Sequence, residues 1–185
     1  MAHKLVILDR DGVINHDSDD YVKSLDEWIP YPTAISAIAR LTRAGWRVAV
    51  ATNQSGIARG YYDETTLAAM HEVMSALVET EGGRIDHIAY CPHISEDGCG
   101  CRKPLPGMLI DVRRELHLDS LEGTWMVGDS LRDVDAGRAA GCRTALVRTG
   151  KGERTLAKYP EFLDARSATP VFDDLAEFVD WLLAH

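Results

Sequence analysis

Two carboxylates one residue apart, Asp9 and Asp11, follow the apolar run Leu5-Val6-Ile7-Leu8 in the segment Asp9-Arg10-Asp11-Gly12-Val13-Ile14. Such a run reads as a short buried strand. In extended backbone, residues two apart point the same way. Both carboxylates can therefore converge at the strand's end, where open α/β sheets bind their ligands. Crowded carboxylates repel and take up a proton unless a cation sits between them. A metal and a phosphate would account for the pair; an acidic turn is the bland alternative.

Three further loops carry compatible chemistry. After the run Val48–Ala51 comes Thr52-Asn53-Gln54-Ser55-Gly56-Ile57-Ala58-Arg59-Gly60. A hydroxyl, amides and exposed backbone N–H groups beside glycine suit the oxygens of a phosphate. A plain polar loop would look the same. In Arg102-Lys103-Pro104-Leu105-Pro106-Gly107, a lysine held by prolines just before a helix can neutralise a phosphoryl group, or form half of a solvated basic pair. In Val127-Gly128-Asp129-Ser130-Leu131-Arg132-Asp133, Gly128 permits a sharp turn, Asp129 stands at a strand end and Asp133 lies one helical turn further on.

Cys91-Pro92-His93 and Cys99-Gly100-Cys101 bracket five residues. Three soft sulfurs and one imidazole at this spacing match a tetrahedral zinc site. Free thiols, or a strained Cys99–Cys101 disulfide, are the alternatives. Four protein ligands close a site, so this zinc would be structural. Arg102 and Lys103 follow Cys101 directly, so the zinc-binding loop at 91–103 would aim two cations. Cys142 stands apart and reads as core packing. His3, His16, His71, His87, His117 and His185 have no partner spacing and read as surface or packing histidines. Trp28 and the Tyr61-Tyr62 pair either line a pocket or pack.

The elements that must position these groups alternate. Strand-like runs are Leu5–Leu8, Val48–Ala51, Ile85–Tyr90, Trp125–Val127, Ala145–Val147 and Val171–Phe172. Helical patterns lie between them. Thr33 is the expected cap of the first, with Ile35, Ile38 and Leu41 on one face. Asp63 caps a second, with Leu67, Met70, Met74 and Leu77 on one stripe. A third starts near Pro106 with Met108, Leu109, Val112 and Leu116 inward. A fourth runs from about Leu131 to Ala140, and the last carries Leu175, Phe178, Val179 and Leu182. This predicts an α/β fold with a doubly wound parallel sheet covered on both faces. Residues 1–185 read as a single domain with no separate cap domain. The irregular stretches 12–32 and 91–105 each follow a strand end and should overhang one site. Residues 150–170 read as a surface excursion of unassigned role.

Bulk properties narrow the function classes. The 185 residues are 45% apolar and 26% charged, ordinary for a globular chain with a full core. A net charge of −9 argues against nucleic acid and anionic membrane surfaces as partners. Only four strongly apolar residues precede Asp9, too few for the core of a signal peptide. No segment has the length of a membrane span. A cytoplasmic location and a monomer are expected.

In series, Asp-x-Asp-Gly, Thr-Asn, Lys-Pro and Gly-Asp-x-x-x-Asp resemble the haloacid dehalogenase superfamily of phosphatases, over roughly residues 5 to 148. The resemblance implies a Rossmann-like fold, an aspartyl-phosphate and Mg²⁺. Asp9 would be the nucleophile and Asp11 the general acid and base. Mg²⁺ would be held by the Asp9 carboxylate, the Asp11 main-chain carbonyl and Asp129. Thr52, with Asn53 beside it, and Lys103 would stabilise the transferring phosphoryl group. Asp133 would orient the metal site or Lys103.

Asp-Arg-Asp-Gly-x-Ile-Asn, Thr-Asn-Gln-Ser-Gly-Ile-Ala-Arg-Gly, the Cys-x-His…Cys-x-Cys loop and Cys-Arg-Lys-Pro-x-Pro-Gly-Met together are similar to a narrower group. That group is the D-glycero-D-manno-heptose 1,7-bisphosphate 7-phosphatases, which serve nucleotide-activated heptose biosynthesis for the lipopolysaccharide core. The implied partner is a small sugar bisphosphate. Its uncleaved phosphate wants a second cation, for which Arg59 and Arg102 are candidates. Arg10, Asn53, Gln54, Ser55 and Ser130 are further candidate substrate contacts. So are Asp17, Ser18, Asp19, Asp20 and Tyr21. The related histidinol-phosphate phosphatases are the alternative, because an amine would suit the same acidic loop. A catalytically silent scaffold whose zinc loop binds a protein partner is the third reading.

Overall fold

The computed structural model describes residues 3–185. Its strands are β1 (Leu5–Leu8), β2 (Arg47–Asn53), β3 (His87–Cys91), β4 (Trp125–Gly128), β5 (Arg143–Val147) and β6 (Val171–Phe172). The helices are α1 (Pro32–Arg43), α2 (Glu64–Thr80), α3 (Gly107–Glu115), α4 (Leu131–Ala139), α5 (Gly152–Lys158) and α6 (Leu175–Leu183). All six strands are parallel, in the order β3-β2-β1-β4-β5-β6. This is the doubly wound arrangement expected, and its topological switch lies between β1 and β4.

Period-two alternation divides the core. Val6, Leu8, Val48, Val50 and Val127 pack with Ile38, Leu41, Met70, Met74, Phe178 and Val179 of α1, α2 and α6. Leu5, Ile7, Ala49, Ala51 and Met126 pack on the opposite face with Met108, Leu109 and Val112 of α3 and Ala136 of α4. A strand buried on both sides reads as a continuous apolar run, which is why Leu5–Leu8 shows no polar position.

Several boundaries differ from expectation for identifiable reasons. Helix α1 starts at Pro32 with Tyr31 as its cap, not Thr33. Proline at the first helical position has no N–H to satisfy and its φ is already helical. Asp63 does cap α2, accepting from the Thr66 amide. Leu77 is exposed, and His71 and Val78 take its place in the buried stripe of α2. Strand β3 begins at His87, two residues late. Asp86 is tied instead through its amide to the Val48 carbonyl and through its carboxylate to the Val48 amide. The stretch 12–31 holds a short 3₁₀ turn, Leu25–Glu27, and the isolated bridges of Asn15 to Asp11 and Pro30, so no cap domain is inserted there. Residues 150–170 are more than an excursion: Leu156 and Phe162 are buried against Val134 and Leu146 in a third small core. Among the described residues, no helix is long and apolar enough to cross a membrane.

Candidate active site

The C-terminal ends of β1, β2 and β4, and the segments that follow β1 to β5, surround a polar cavity of about 430 Å³. Asp9, Asp11, Lys103, Asp129 and Asp133 line it. Asp9 and Asp129 end neighbouring strands, on either side of the switch point. Gly12 makes this approach possible. Its φ is +86°, and a Cβ there would collide with the Asp129 carboxylate.

Carboxylate oxygens of Asp9, Asp129 and Asp133 lie within 4.8 Å of one another. Lys103 Nζ donates to Asp9 Oδ1 at 3.0 Å, to Asp133 Oδ1 at 2.6 Å and to the Ala51 carbonyl at 2.8 Å. The other Asp133 oxygen accepts from the Asp129 and Ser130 amides and the Ser130 hydroxyl. Both its oxygens are thereby engaged, which fits the orienting role expected of Asp133. Burial, then the negative charge of Asp133, pushes the Asp9 carboxyl up to about 7 despite Lys103. Burial and the charges of Asp9 and Asp133 also raise Asp129 well above the carboxylate range. Burial opposes the Lys103 ammonium, but Asp133 and Asp9 outweigh it and hold its pKa above that of an ordinary lysine. Crowded, desolvated carboxylates of this kind are a site for a hard cation.

Asp11 has a different environment. Its Oδ1 accepts from the Arg10 guanidinium and from Asn15, and its Oδ2 accepts from Gln54 at 2.9 Å. Burial would raise its pKa, but Arg10 and these hydrogen bonds outweigh that and hold it low. Arg10 is fully buried and does not line the cavity. Its third nitrogen faces His71 Nε2 at 3.3 Å, so its guanidinium is spent on orienting Asp11 rather than on substrate. Thr52 also lies beneath the cavity surface, where its hydroxyl accepts from Gln54. Asp20 is exposed and does not line the cavity.

The cavity does gather Asp17, Ser18, Asp19, Tyr21, Asn53, Gln54, Ser55, Arg59, Arg102 and Ser130. It also gathers Tyr62, Arg132, Lys151 and Arg154. Of these four, only Tyr62 was a candidate from sequence; Tyr61 is exposed and packs on Tyr21, and Trp28 is buried. A signal for Lys151 was present, because Thr149-Gly150-Lys151 follows the end of β5 just as the other site loops follow their strands.

At the end of β3, the Sγ atoms of Cys91, Cys99 and Cys101 lie within 4.8 Å of one another, with Cys91–Cys101 at 2.7 Å and Cys91–Cys99 at 3.7 Å. All are free thiols, so Cys99 and Cys101 form no disulfide. His93 is not among the ligand atoms grouped within this distance. Its Nδ1 faces Asp97 Oδ2 at 3.7 Å, and Asp97 is itself fixed by accepting from the Ile94 amide. The loop is joined to the cavity through Asn53, which exchanges two hydrogen bonds with the Lys103 backbone. Arg102 donates to the His93 carbonyl at 3.1 Å.

Comparisons with known proteins place the chain in a family. A family model described as HAD-hydrolase-like matches residues 100–178. The D-glycero-beta-D-manno-heptose-1,7-bisphosphate 7-phosphatase of Pseudomonas aeruginosa is 58% identical, over 99% of each chain. Its counterpart in Neisseria meningitidis serogroup B is 51% identical, over 97% of this chain and 95% of the relative. The crystal structure of the D,D-heptose 1,7-bisphosphate phosphatase of B. bronchiseptica, complexed with magnesium and phosphate, superposes with a TM-score of 0.90. It is 52% identical and covers 98% of both chains. The chain thus belongs to the D-glycero-D-manno-heptose-1,7-bisphosphate 7-phosphatase family of HAD-like hydrolases.

Proposed function

We propose that this chain removes the 7-phosphate of D-glycero-β-D-manno-heptose 1,7-bisphosphate, a step toward nucleotide-activated heptose for the lipopolysaccharide core. The observation that carries the reading is the contact of Lys103 with Asp9 in a cavity that also presents Arg59 and Arg102. One cation serves the phosphate being cleaved, and others are available to the phosphate that stays.

Asp9 attacks phosphorus in line, the bond to the sugar oxygen breaks, and an aspartyl-phosphate forms. Lys103 offsets charge on the equatorial oxygens. Asp11 gives its proton to the leaving sugar oxygen and then takes one from the water that cleaves the intermediate. In the free protein Arg10, Asn15 and Gln54 favour the ionised form of Asp11, the form needed for the water step. An arriving phosphate dianion raises its proton affinity for the first step. Asp9 and Asp129, with the Asp11 carbonyl, would hold Mg²⁺, which supplies charge neutralisation between carboxylate and phosphate. The three thiols suit a soft ion such as Zn²⁺, with His93 as the fourth ligand once its ring turns from Asp97. That ion would fix the 91–103 loop behind Lys103.

The histidinol-phosphate alternative needs a free carboxylate for an amine. Asp17 and Asp19, the acidic residues of the loop that reach the cavity, are already faced by Lys151 and Arg154. The decisive experiment is Mg²⁺-dependent phosphate release from both anomers of the heptose bisphosphate beside histidinol phosphate. A kcat/KM strongly favouring the β anomer is expected; a preference for histidinol phosphate would overturn the substrate assignment. No phosphate release from any of the three would favour the silent scaffold.

A further inference from the structure

The segment after β5, with the first turns of α5, ties together parts of the site that are far apart in sequence. The Thr149 hydroxyl donates to the Gly12 carbonyl at 2.6 Å. The Lys151 amide donates to Asp129 Oδ2 at 2.8 Å, and the Thr155 hydroxyl donates to the Asp129 carbonyl at 2.7 Å. From this base two side chains reach the 17–22 loop. Lys151 Nζ faces Asp17 Oδ2 at 3.5 Å. Arg154 grips Asp19 with two parallel hydrogen bonds, Nη1 to Oδ1 and Nη2 to Oδ2, each 2.9 Å. The base is firm because Leu156 of α5 is buried with Phe162, Val134 and Leu146.

The far end of the loop is anchored, with Val22 buried in the main core, Tyr21 against Tyr61 and Lys23 Nζ donating to the Asp20 carbonyl at 2.8 Å. Asp17–Asp19 depend instead on the contacts from Lys151 and Arg154. The loop's internal hydrogen bonds are the Tyr21 amide to the Ser18 carbonyl, at 3.3 Å, and the Asp20 amide to the Ser18 hydroxyl, at 3.1 Å. Tyr21 sits at φ +67°, a conformation that costs a side-chain-bearing residue energy. Asp17, Ser18, Asp19 and Tyr21 nonetheless form one wall of the cavity. An exposed ion pair adds little to global stability. A bidentate pair between a packed helix and the Asp17–Asp19 end of the loop can instead set that end's conformation before substrate arrives, which lowers the ordering cost of binding.

We propose that Arg154 is a positioning residue: through Asp19 it clamps the 17–22 loop, and this clamp selects polyhydroxylated sugar phosphates, long enough to touch the loop, over small phosphate monoesters. The selectivity rests on the substrate reading above; the clamp itself does not. A small aryl phosphate needs only the Asp9 and Lys103 end of the cavity, so its turnover is independent of the clamp.

The test combines amide hydrogen exchange with kinetics for Arg154→Ala, Asp19→Ala and the double variant. Arg154→Ala is expected to speed exchange in a peptide spanning 17–23 of the substrate-free protein. It is also expected to raise KM for the heptose bisphosphate about three- to fivefold, leaving kcat and aryl phosphate turnover at wild-type values. In the Asp19→Ala background, Arg154→Ala should add nothing further. Unchanged exchange at 17–23 would overturn the clamp, and additive losses in the double variant would make Arg154 a direct substrate contact instead. Were the wild-type protein to show no preference for the bisphosphate, the substrate reading would fall and the exchange comparison alone would decide the clamp.

Discussion

Lys103 reaches Asp9 from a loop 94 residues away, and its Nζ stands 3.0 Å from Asp9 Oδ1. The same nitrogen is 2.6 Å from Asp133 Oδ1, and the Lys103 and Asp133 side chains are almost fully buried. One cation therefore faces two carboxylates, and the balance of charge is left to a metal. Burial and the neighbouring Asp133 charge raise the proton affinity of the candidate nucleophile, and that of Asp129 is raised with it.

Asp9→Asn removes the attacking oxygen while keeping size and hydrogen bonding. Turnover should fall at least about 10³-fold, with the melting temperature of the metal-free protein held or raised, because repulsion with Asp133 and Asp129 is relieved. Steady-state phosphate release and thermal melts check both; retained turnover would remove the aspartyl-phosphate mechanism.

Lys103→Met leaves Asp9 and Asp133 buried without their shared counter-charge. The expected cost is about 3–5 kcal/mol in unfolding free energy, together with loss of activity. Adding Asp133→Asn should recover part of that stability but none of the turnover. A stability loss in the single variant no larger than a surface substitution gives would show that the cluster is better solvated than the geometry implies.

The raised pKa of Asp9 has a defined sign in stability. An unfolded chain releases this proton near the ordinary carboxylate value of 3.8, whereas the folded protein holds it to about 7. The folded state is therefore stabilised by the proton at low pH and loses that contribution as pH rises through this window. Mg²⁺ held by the ionised cluster would restore it. The melting-temperature gain from Mg²⁺ should be larger at about pH 8 than at about pH 5. Equal gains would mean that Asp9 and Asp129 are already ionised in the metal-free protein.

Arg102→Ala should weaken heptose bisphosphate more than a simple monophosphate. A charged hydrogen bond to the retained phosphate corresponds to about a tenfold change in KM. Parallel kinetics on the two substrates decide it, since equal losses would assign Arg102 to holding the loop through the His93 carbonyl.

Stripping the soft metal should lower activity without touching Asp9. The thiol cluster is linked to Lys103 through the chain and to Asn53 through two hydrogen bonds. Activity unchanged after metal analysis confirms zinc removal would refute the coupling; recovery on adding Zn²⁺ back would support it.

Much of this was legible in the residues themselves. Local rules place Asp9, Asp129 and the 52–55 segment at strand ends, because a short apolar run can be buried on both faces only inside a parallel sheet. They equally placed Cys91 at the end of β3 and Asp63 at the cap of α2. Spacing marked the carboxylates and the thiols as candidates, while the roles of Asp9, Asp11 and Lys103 came from the family resemblance. Tertiary structure decided what no local pattern encodes. It turned Arg10 inward to hold Asp11, although a charged residue at that position reads as a ligand contact. It kept His93 facing Asp97, and it drew Lys151 and Arg154 from an unassigned stretch onto Asp17, Asp129 and Asp19. Strand periodicity determines which end of the sheet a loop leaves. Which side chains then meet depends on charge pairing and burial across loops from 30 to 135 residues apart, and sequence spacing holds no information about those distances.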